Sequence, residues 1–258
     1  RDFFPPLQPA SARLGTLLPG LAARTGLNLS TPVHCGIHDS NASLLPHLLA
    51  REAPFSVVST GTWVVSMAIG GRRVALDPAR DTLVNVNALG DPVRSARFMG
   101  GREFELLAEG VDTTADEAAV SSVLEGGIML LPSVQHGSGP FPAAQACWIG
   151  TPSPGERMIA IAFYLAMMTT TCLDLIGAEG DIVIEGPFAA NQHYCAMMQA
   201  ATGRPVLAQA DQSTGTSIGA ALLADMTRKP PSGTANRRNF PPAWRRYAED
   251  WRAAANTR

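Results

Sequence analysis

The hydrophobic pattern of the chain predicts helices and strands in mixed order. Leucine-rich segments with helical spacing alternate with short runs of β-branched residues, and many of these segments end at Gly or Pro. The predicted helices cover 11–25, 40–51, 102–109, 156–176, 189–202, 217–226 and 242–255. The predicted strands cover 31–37, 55–59, 63–69, 83–88, 93–98, 127–131, 181–185 and 205–208. Consecutive strands in the middle and α/β units near the end predict a layered, mixed α/β domain.

One helical segment is apolar enough to raise the question of a membrane. Residues 158–173 carry no charge, but this stretch is slightly short for a membrane span, which needs about 20 residues. It also contains three consecutive threonines, at 169–171. We therefore predict a core helix that is buried on most sides rather than a transmembrane helix.

Charge and cysteine content narrow the class of protein. The net charge of −2 gives no reason to expect a nucleic-acid or membrane partner. Arginines make the segment 237–258 locally basic, and we interpret that segment as a solvated helix face. The four cysteines form no C-x-x-C pair, which favours reduced thiols in a cytoplasmic protein.

Two polar turns are the candidate chemistry. Asp39 lies on a tight turn after an apolar strand, and the small-residue loop Thr60-Gly61-Thr62 follows a second apolar strand. This order is typical of a site where a hydroxyl is deprotonated beside a bound phosphate. Taken alone, Asp39 fits a helix cap better, and the loop fits an ordinary β-turn.

The two turns and three further motifs occur in a fixed order along residues 11–225. The five motifs are Gly36-x-His38-Asp39, Ser59-Thr60-Gly61-Thr62-Trp63, Leu130-Leu131-Pro132, Glu185-Gly186-Pro187-Phe188-Ala189-Ala190-Asn191 and Ser217-Ile218-Gly219-Ala220-Ala221. Their order and spacing resemble the C-terminal half of the FGGY carbohydrate kinases. The first two motifs look most like those of the rhamnulose and fuculose kinases.

The resemblance implies a fold and a division into domains. It implies an actin-like ATPase domain of the ribonuclease H type, the C-terminal half of a two-domain sugar kinase. Residues 1–50 would end the first, sugar-binding domain, 51–225 would form the nucleotide-binding domain, and 226–258 would be a linker and tail helix. The Asp-x-Gly-Thr segment of the first domain does not occur in this chain, so the missing N-terminal kinase domain becomes an expected partner.

The resemblance also implies roles for the first turn. Asp39 would be the general base that accepts a proton from the sugar hydroxyl, and this role then becomes preferable to a helix cap. His38 would contact substrate or be a satisfied turn histidine. Asn41 would contact substrate or belong only to the capped helix.

The second set of motifs would bind ATP. Thr60, Gly61 and Thr62 would face the phosphates, while Gly186 and Asn191 would lie against adenosine. Two positions depart from the family pattern: Pro187 stands where many members have Gly, and Thr214 stands where many have Glu. Because Pro187 has no N–H group, the detailed nucleotide contacts would differ there.

These residues predict an ATP- and Mg²⁺-dependent kinase that acts on a ketose, deoxyketose or related polyol. The isolated chain would be inactive, because half of the cleft would be absent. The alternative is a non-catalytic actin-like module that binds nucleotide or a protein. A homodimer is compatible with either interpretation. No residue set suggests a dedicated metal site.

Overall fold

The computed structural model describes residues 3, 5–110, 117–209, 215–228, 230, 233, 235 and 237–257. The strands are β1 (Arg13–Thr16), β2 (Pro32–His34), β3 (Phe55–Thr60), β4 (Val64–Ile69), β5 (Thr82–Val86), β6 (Pro92–Phe98), β7 (Met129–Leu131), β8 (Cys147–Ile149), β9 (Asp181–Glu185) and β10 (Val206–Gln209). The α-helices are α1 (Pro19–Thr25), α2 (Asp39–Ala50), α3 (Gly100–Ala108), α4 (Glu117–Gly126), α5 (Pro154–Leu175), α6 (Gln192–Thr202), α7 (Gly215–Leu222) and α8 (Pro242–Asn256). Two short 3₁₀ helices cover Pro78–Arg80 and Pro187–Ala190.

The chain divides into two compact units. The first comprises described residues within 1–51, 86–92 and 213–232, and the second comprises those within 52–85, 93–212 and 233–258.

The first unit combines a two-stranded antiparallel sheet, β1-β2, with three helices. Helices α2 and α7 pack closely, since a Cβ on Gly219 would lie 1.7 Å from the carbonyl oxygen of Ala42. Leu45 and Leu222 belong to the small apolar cluster of this unit. The absence of a side chain at Gly219 thus permits the close approach of the two helices.

The N-terminal elements differ from the sequence prediction. The predicted helix over 11–25 is wrong in its first half, which forms β1, and α1 begins only at Pro19. The prediction of a buried strand over 31–37 was also wrong in part, because β2 is short and its residues are exposed or partly exposed. Pro19 explains the helix start: its fixed φ suits the first turn of a helix but not the interior.

A six-stranded sheet forms the centre of the second unit, in the order β10-β9-β3-β4-β6-β5. β3 pairs antiparallel with β4, β4 pairs antiparallel with β6, and the two pairs β3-β9 and β9-β10 are parallel. The mixed α/β class is therefore confirmed. The sheet brings the end of β3 beside the end of β9, because Ser59 pairs with Glu185.

Helix α5 is the main core helix of the second unit. It is long and apolar enough to cross a membrane by length and composition, but most of it is buried among the described residues. Its threonines are satisfied locally: Thr170 and Thr171 donate to the carbonyl oxygen of Met167, and the hydroxyl of Thr169 lies 2.8 Å from that of Tyr194. These hydrogen bonds let polar residues occupy a buried helix without an unpaired group.

Helix α8 is also part of this core, although the sequence indicated a solvated tail. The indole N–H of Trp251 donates to the carbonyl oxygen of Leu130 at 2.8 Å, and the Tyr247 hydroxyl donates to that of Ile128 at 2.9 Å. Both aromatic residues are buried. Arg245 and Arg246 remain exposed whereas Arg252 is half-buried, so the predicted solvated face covers only part of α8.

Candidate active site

The end of β3 is tied to the turn after β9. Thr60 is buried, and its hydroxyl donates to the carbonyl oxygen of Glu185 at 2.5 Å and accepts the Phe188 N–H at 3.1 Å. These two bonds use the side chain of Thr60 to join segments that lie about 125 residues apart in sequence. Thr60 thereby fixes the base of the Gly61–Thr62 turn.

Gly186 is required for this junction. Its φ of +81° is one that other residues rarely adopt, and a Cβ there would lie 2.0 Å from the carbonyl oxygen of Thr60. Pro187 then begins the short 3₁₀ helix, at a position where the missing N–H costs no helical hydrogen bond. The side chain of Asn191 caps α6, because its Oδ1 accepts the N–H groups of His193 and Tyr194 at 3.1 and 3.0 Å.

The Gly61–Thr62 turn is exposed on one side and supported on the other. Gly101, near the start of α3, lies so close to the turn that a Cβ on it would be 2.1 Å from the carbonyl oxygen of Gly61. A Cβ on Gly61 itself would meet nothing nearer than the carbonyl oxygen of Trp63, at 3.9 Å. The turn is therefore open to a ligand on the side where a Gly61 side chain would project.

These elements enclose a cleft of about 790 Å³ in the second unit. Its lining includes three residues that the sequence assigned to ATP, Gly61, Thr62 and Asn191. Apolar side chains supply much of the wall: Phe104, Met158, Ile159, Ala162, Pro187 and Phe188. His193 also lines the cleft, and burial lowers the pKa of its imidazole, which favours the neutral ring. The size and mainly apolar lining are those of a small-molecule site.

Glu103 stabilises the wall of this cleft from the interior of the second unit. It is fully buried on α3, where its Oε1 accepts the Gln135 N–H at 2.9 Å and its Oε2 accepts the Tyr164 hydroxyl at 2.9 Å. Burial raises the pKa of its carboxyl group, and the two hydrogen bonds lower it by less. Since Gly101 lies two residues earlier on the same helix, these bonds fix the helix turn that supports Gly61.

The second candidate turn lies in the first unit. Asp39 is the first residue of α2, so the N-cap position belongs to His38 rather than to Asp39, and His38 makes no side-chain cap hydrogen bond. Asp39 Oδ1 accepts the Ser40 N–H at 2.7 Å and lies 2.8 Å from His38 Nδ1. Both side chains are more than 70% exposed. Oδ2 of Asp39 has no hydrogen-bond partner among the described residues.

Asn41 occupies a different environment from its two neighbours. It is buried in the first turn of α2, and its Oδ1 has no hydrogen-bond partner in the described part of the chain. A buried acceptor without a partner is costly unless water or a ligand completes it. Asn41 is thus the one predicted substrate residue with an unsatisfied buried atom.

A sequence profile that covers the Gly61–Thr62 turn identifies the family of the chain. The profile of the carbohydrate kinase FGGY C-terminal domain matches residues 52–232, more than two thirds of the chain. The chain belongs to the FGGY carbohydrate kinase family. Members of this family are kinases, a class of transferases. The resemblance to FGGY kinases that the sequence motifs indicated is therefore confirmed. Comparison with curated protein sequences gives no match.

Solved structures of carbohydrate kinases resemble the chain along nearly its whole length. A carbohydrate kinase from Novosphingobium aromaticivorans superposes with a TM-score of 0.85 at 36% identity, over 98% of this chain and 57% of that one. A xylulose kinase from Brucella ovis gives 0.74 at 18% identity, over 98% and 57%. A gluconate kinase from Lactobacillus acidophilus gives 0.71 at 15% identity, over 97% and 56%.

The latter two similarities show the fold alone, and together with the family match they confirm the predicted actin-like ATPase fold. The chain spans less than two thirds of the length of these three kinases.

Several features of this FGGY chain were not predicted from its sequence. No sequence motif pointed to Gly101, which supports the Gly61 turn. Nothing in the local sequence marked Phe104 or His193 as cleft residues. The departure at Thr214 lies outside the described residues. Among the residues that the structure describes, no group of three His, Cys, Asp or Glu side chains could hold a metal ion.

Proposed function

We propose that this chain carries the nucleotide site and the general base of an ATP-dependent kinase. The enzyme transfers a phosphoryl group to a hydroxyl of a ketose, deoxyketose or related polyol. The observation that carries the proposal is the cleft of the second unit. Gly61, Thr62 and Asn191 were selected from sequence motifs alone, and all three line this one cleft.

The residues of the cleft suit a nucleoside triphosphate. Gly61 and Thr62 would face the phosphates, because the missing side chain of Gly61 leaves backbone and hydroxyl groups accessible. Pro187, Asn191 and His193 would lie beside the nucleoside, with the neutral imidazole available as a hydrogen-bonding group. Thr60 would act indirectly by holding the turn.

ATP supplies the phosphoryl group, and Mg²⁺ would be carried mainly by the phosphates, as in sites that lack an all-protein cage.

Asp39 is proposed to accept the proton of the substrate hydroxyl. Oδ1 is held by Ser40 and His38, whereas Oδ2 is open to solvent and able to receive a proton. Because phosphoryl transfer has a loose transition state, the main contribution of Asp39 would be to orient the hydroxyl. Asn41 Oδ1, the unsatisfied acceptor, and His38 would bind neighbouring sugar hydroxyls.

A further kinase domain is proposed to complete the site. The first unit exposes several large apolar side chains, among them Leu14, Leu18 and Leu21. These leucines lie in one short segment of the chain, and a contiguous apolar surface is typical of a face that another protein segment covers. The FGGY structures that resemble this chain are each longer by more than 40% of their own length. The chain alone is therefore expected to bind nucleotide weakly and to show no turnover.

A chimera tests the proposal. The chain would be fused to the N-terminal part of the Novosphingobium aromaticivorans kinase that it does not cover, and assayed with ATP and a panel of ketoses and polyols. We expect turnover by the chimera and none by the chain alone. Asp39→Asn in the chimera should lower kcat by about 10²–10⁴-fold and leave ATP affinity unchanged, because only proton acceptance and hydroxyl orientation are lost.

The control is Asp91→Asn, which changes a carboxylate on a turn of the same unit and should keep activity. Full activity of the Asp39→Asn chimera, or normal turnover by the isolated chain, would contradict the proposal. ATP binding without turnover by a folded wild-type chimera would favour the non-catalytic module.

A further inference from the structure

A second concave site lies between the end of α6 and the start of α8, within the second unit. It is a groove of about 600 Å³ and shares no lining residue with the cleft described above. Four arginines line it, Arg237, Arg238, Arg245 and Arg246, and Glu249 is its one acidic lining residue. Four positive charges and one negative charge give the groove a net charge of +3, in a chain whose net charge is −2.

The protein offsets only part of the positive charge of the groove. In the described part of the chain, none of these guanidinium groups forms an ion pair or a side-chain hydrogen bond. The first turn of α8 has no acidic residue and no side-chain cap, so the helix dipole adds to the positive potential. Like charges gathered in a concavity repel one another and attract anions, because the protein walls focus the field.

The walls of the groove are fixed in place. The N–H of Arg238 donates to Oε1 of the buried Gln199 at 3.0 Å. The rings of Phe240 and Trp244 lie 5.1 Å apart, and Arg252 donates to the carbonyl oxygen of Ala201 at 3.0 Å. The two hydrogen bonds anchor the segment before α8 and the helix itself to α6, and the ring contact joins that segment to α8. A preformed site loses less entropy when it binds a ligand than a mobile segment would.

From this geometry we propose that the groove binds a small molecule that carries at least two phosphate groups. Guanidinium groups match phosphate oxygens with paired hydrogen bonds, and four of them exceed what a single carboxylate requires. The groove is concave and within the size range of small-molecule sites, whereas a nucleic acid or acidic protein would call for a broader basic surface. The shared chemistry is the polyphosphate group, carried either by a nucleotide or by a phosphorylated sugar.

Calorimetric titration with inorganic pyrophosphate tests this proposal on the 258-residue chain. We expect wild-type chain to bind pyrophosphate, and Arg245→Gln/Arg246→Gln to lose about tenfold or more in affinity, because two charge-assisted contacts disappear. The control Arg24→Gln/Arg73→Gln removes the same charge from exposed arginines outside the groove and should bind as wild type. If the first variant fails to fold, Arg237→Gln/Arg238→Gln carries the same expectation from the segment before α8.

Other outcomes overturn the proposal. Absence of binding by wild type, or equal losses in the groove and control variants, would show that no built site exists. A loss caused by Gly61→Ala but not by the groove variants would place pyrophosphate in the cleft instead. Tighter binding of a duplex oligonucleotide, abolished by the same groove variant, would identify a nucleic-acid surface. With pyrophosphate bound, competition by ADP and by a sugar bisphosphate distinguishes the two sources of the phosphate group.

Discussion

At the scale of residues, Glu103 shows how a buried charge can serve a site that it does not touch. Among the described residues, it is the one carboxylate that is fully buried. Its two oxygens connect α3 to the Gln135 N–H and to Tyr164 of α5, and α3 in turn supports the Gly61 turn. Removing the side chain would leave buried donors without an acceptor, which is a larger loss than that of a surface hydrogen bond.

The raised pKa of Glu103 gives a prediction with a definite sign. The pKa of Glu103 in the folded chain lies above the ordinary value of 4.5. The protonated carboxyl group therefore stabilises the folded chain fully at pH values below 4.5, and this contribution is lost as the pH rises through the folded pKa. Glu103→Gln cannot ionise. The free energy of unfolding of the wild type should therefore fall relative to that of Glu103→Gln as the pH is raised from about 4.5.

Urea unfolding at a series of pH values measures this difference. Glu105→Gln, an exposed change on the same helix, is the control and should follow the wild type at every pH. Identical pH dependence of the wild type and Glu103→Gln would mean that the ionisation of Glu103 is not linked to folding.

At the scale of elements, α8 determines where the second unit ends. The family profile stops at residue 232, yet α8 begins at Pro242 and places Trp251 in the core. Trp251 lies against the rings of Phe141 and Tyr164, and its indole satisfies a carbonyl oxygen of β7. The helix is thus part of the folded unit rather than an appendage to it.

Trp251→Ala is expected to lower the free energy of unfolding by about 3–5 kcal/mol, the usual cost of deleting a large buried aromatic side chain. Arg245→Ala, an exposed change on the same helix, should alter it by no more than about 0.5 kcal/mol. Chemical denaturation followed by circular dichroism gives both values. A Trp251→Ala chain as stable as the wild type would show that α8 contributes little to the core.

The sequence predicted the elements whose pattern is strong and local. Helix α5 and strand β9 lie within a few residues of their predicted limits, since an uninterrupted apolar period determines each. No strand was predicted between residues 131 and 156, yet β8 lies there and pairs with β7. Helix α4 was missed. β8 is only three residues long, and its pairing comes from tertiary contacts rather than from propensity.

At the scale of the whole molecule, motif order was more informative than any single motif. It selected Gly61 and Asn191, which line one cleft although they are far apart in the chain. It could not assign Thr60 its observed hydrogen bonds, because these depend on the pairing of β3 with β9. For the same reason the arginine groove was interpreted only as a solvated helix face, since its walls come from two distant segments.

The central claim is that the cleft beside Gly61 binds ATP, and amide chemical-shift mapping of the 27.2 kDa chain tests it most directly. This measurement detects weak binding, which is what the isolated chain should show. During titration with ATP and Mg²⁺, we predict the largest shifts at Gly61, Thr62 and Asn191. Gly61→Ala should stay folded, because its Cβ would meet nothing within 3.9 Å, but the shifts should disappear. Shifts that centre elsewhere, or that persist unchanged in Gly61→Ala, would contradict the account.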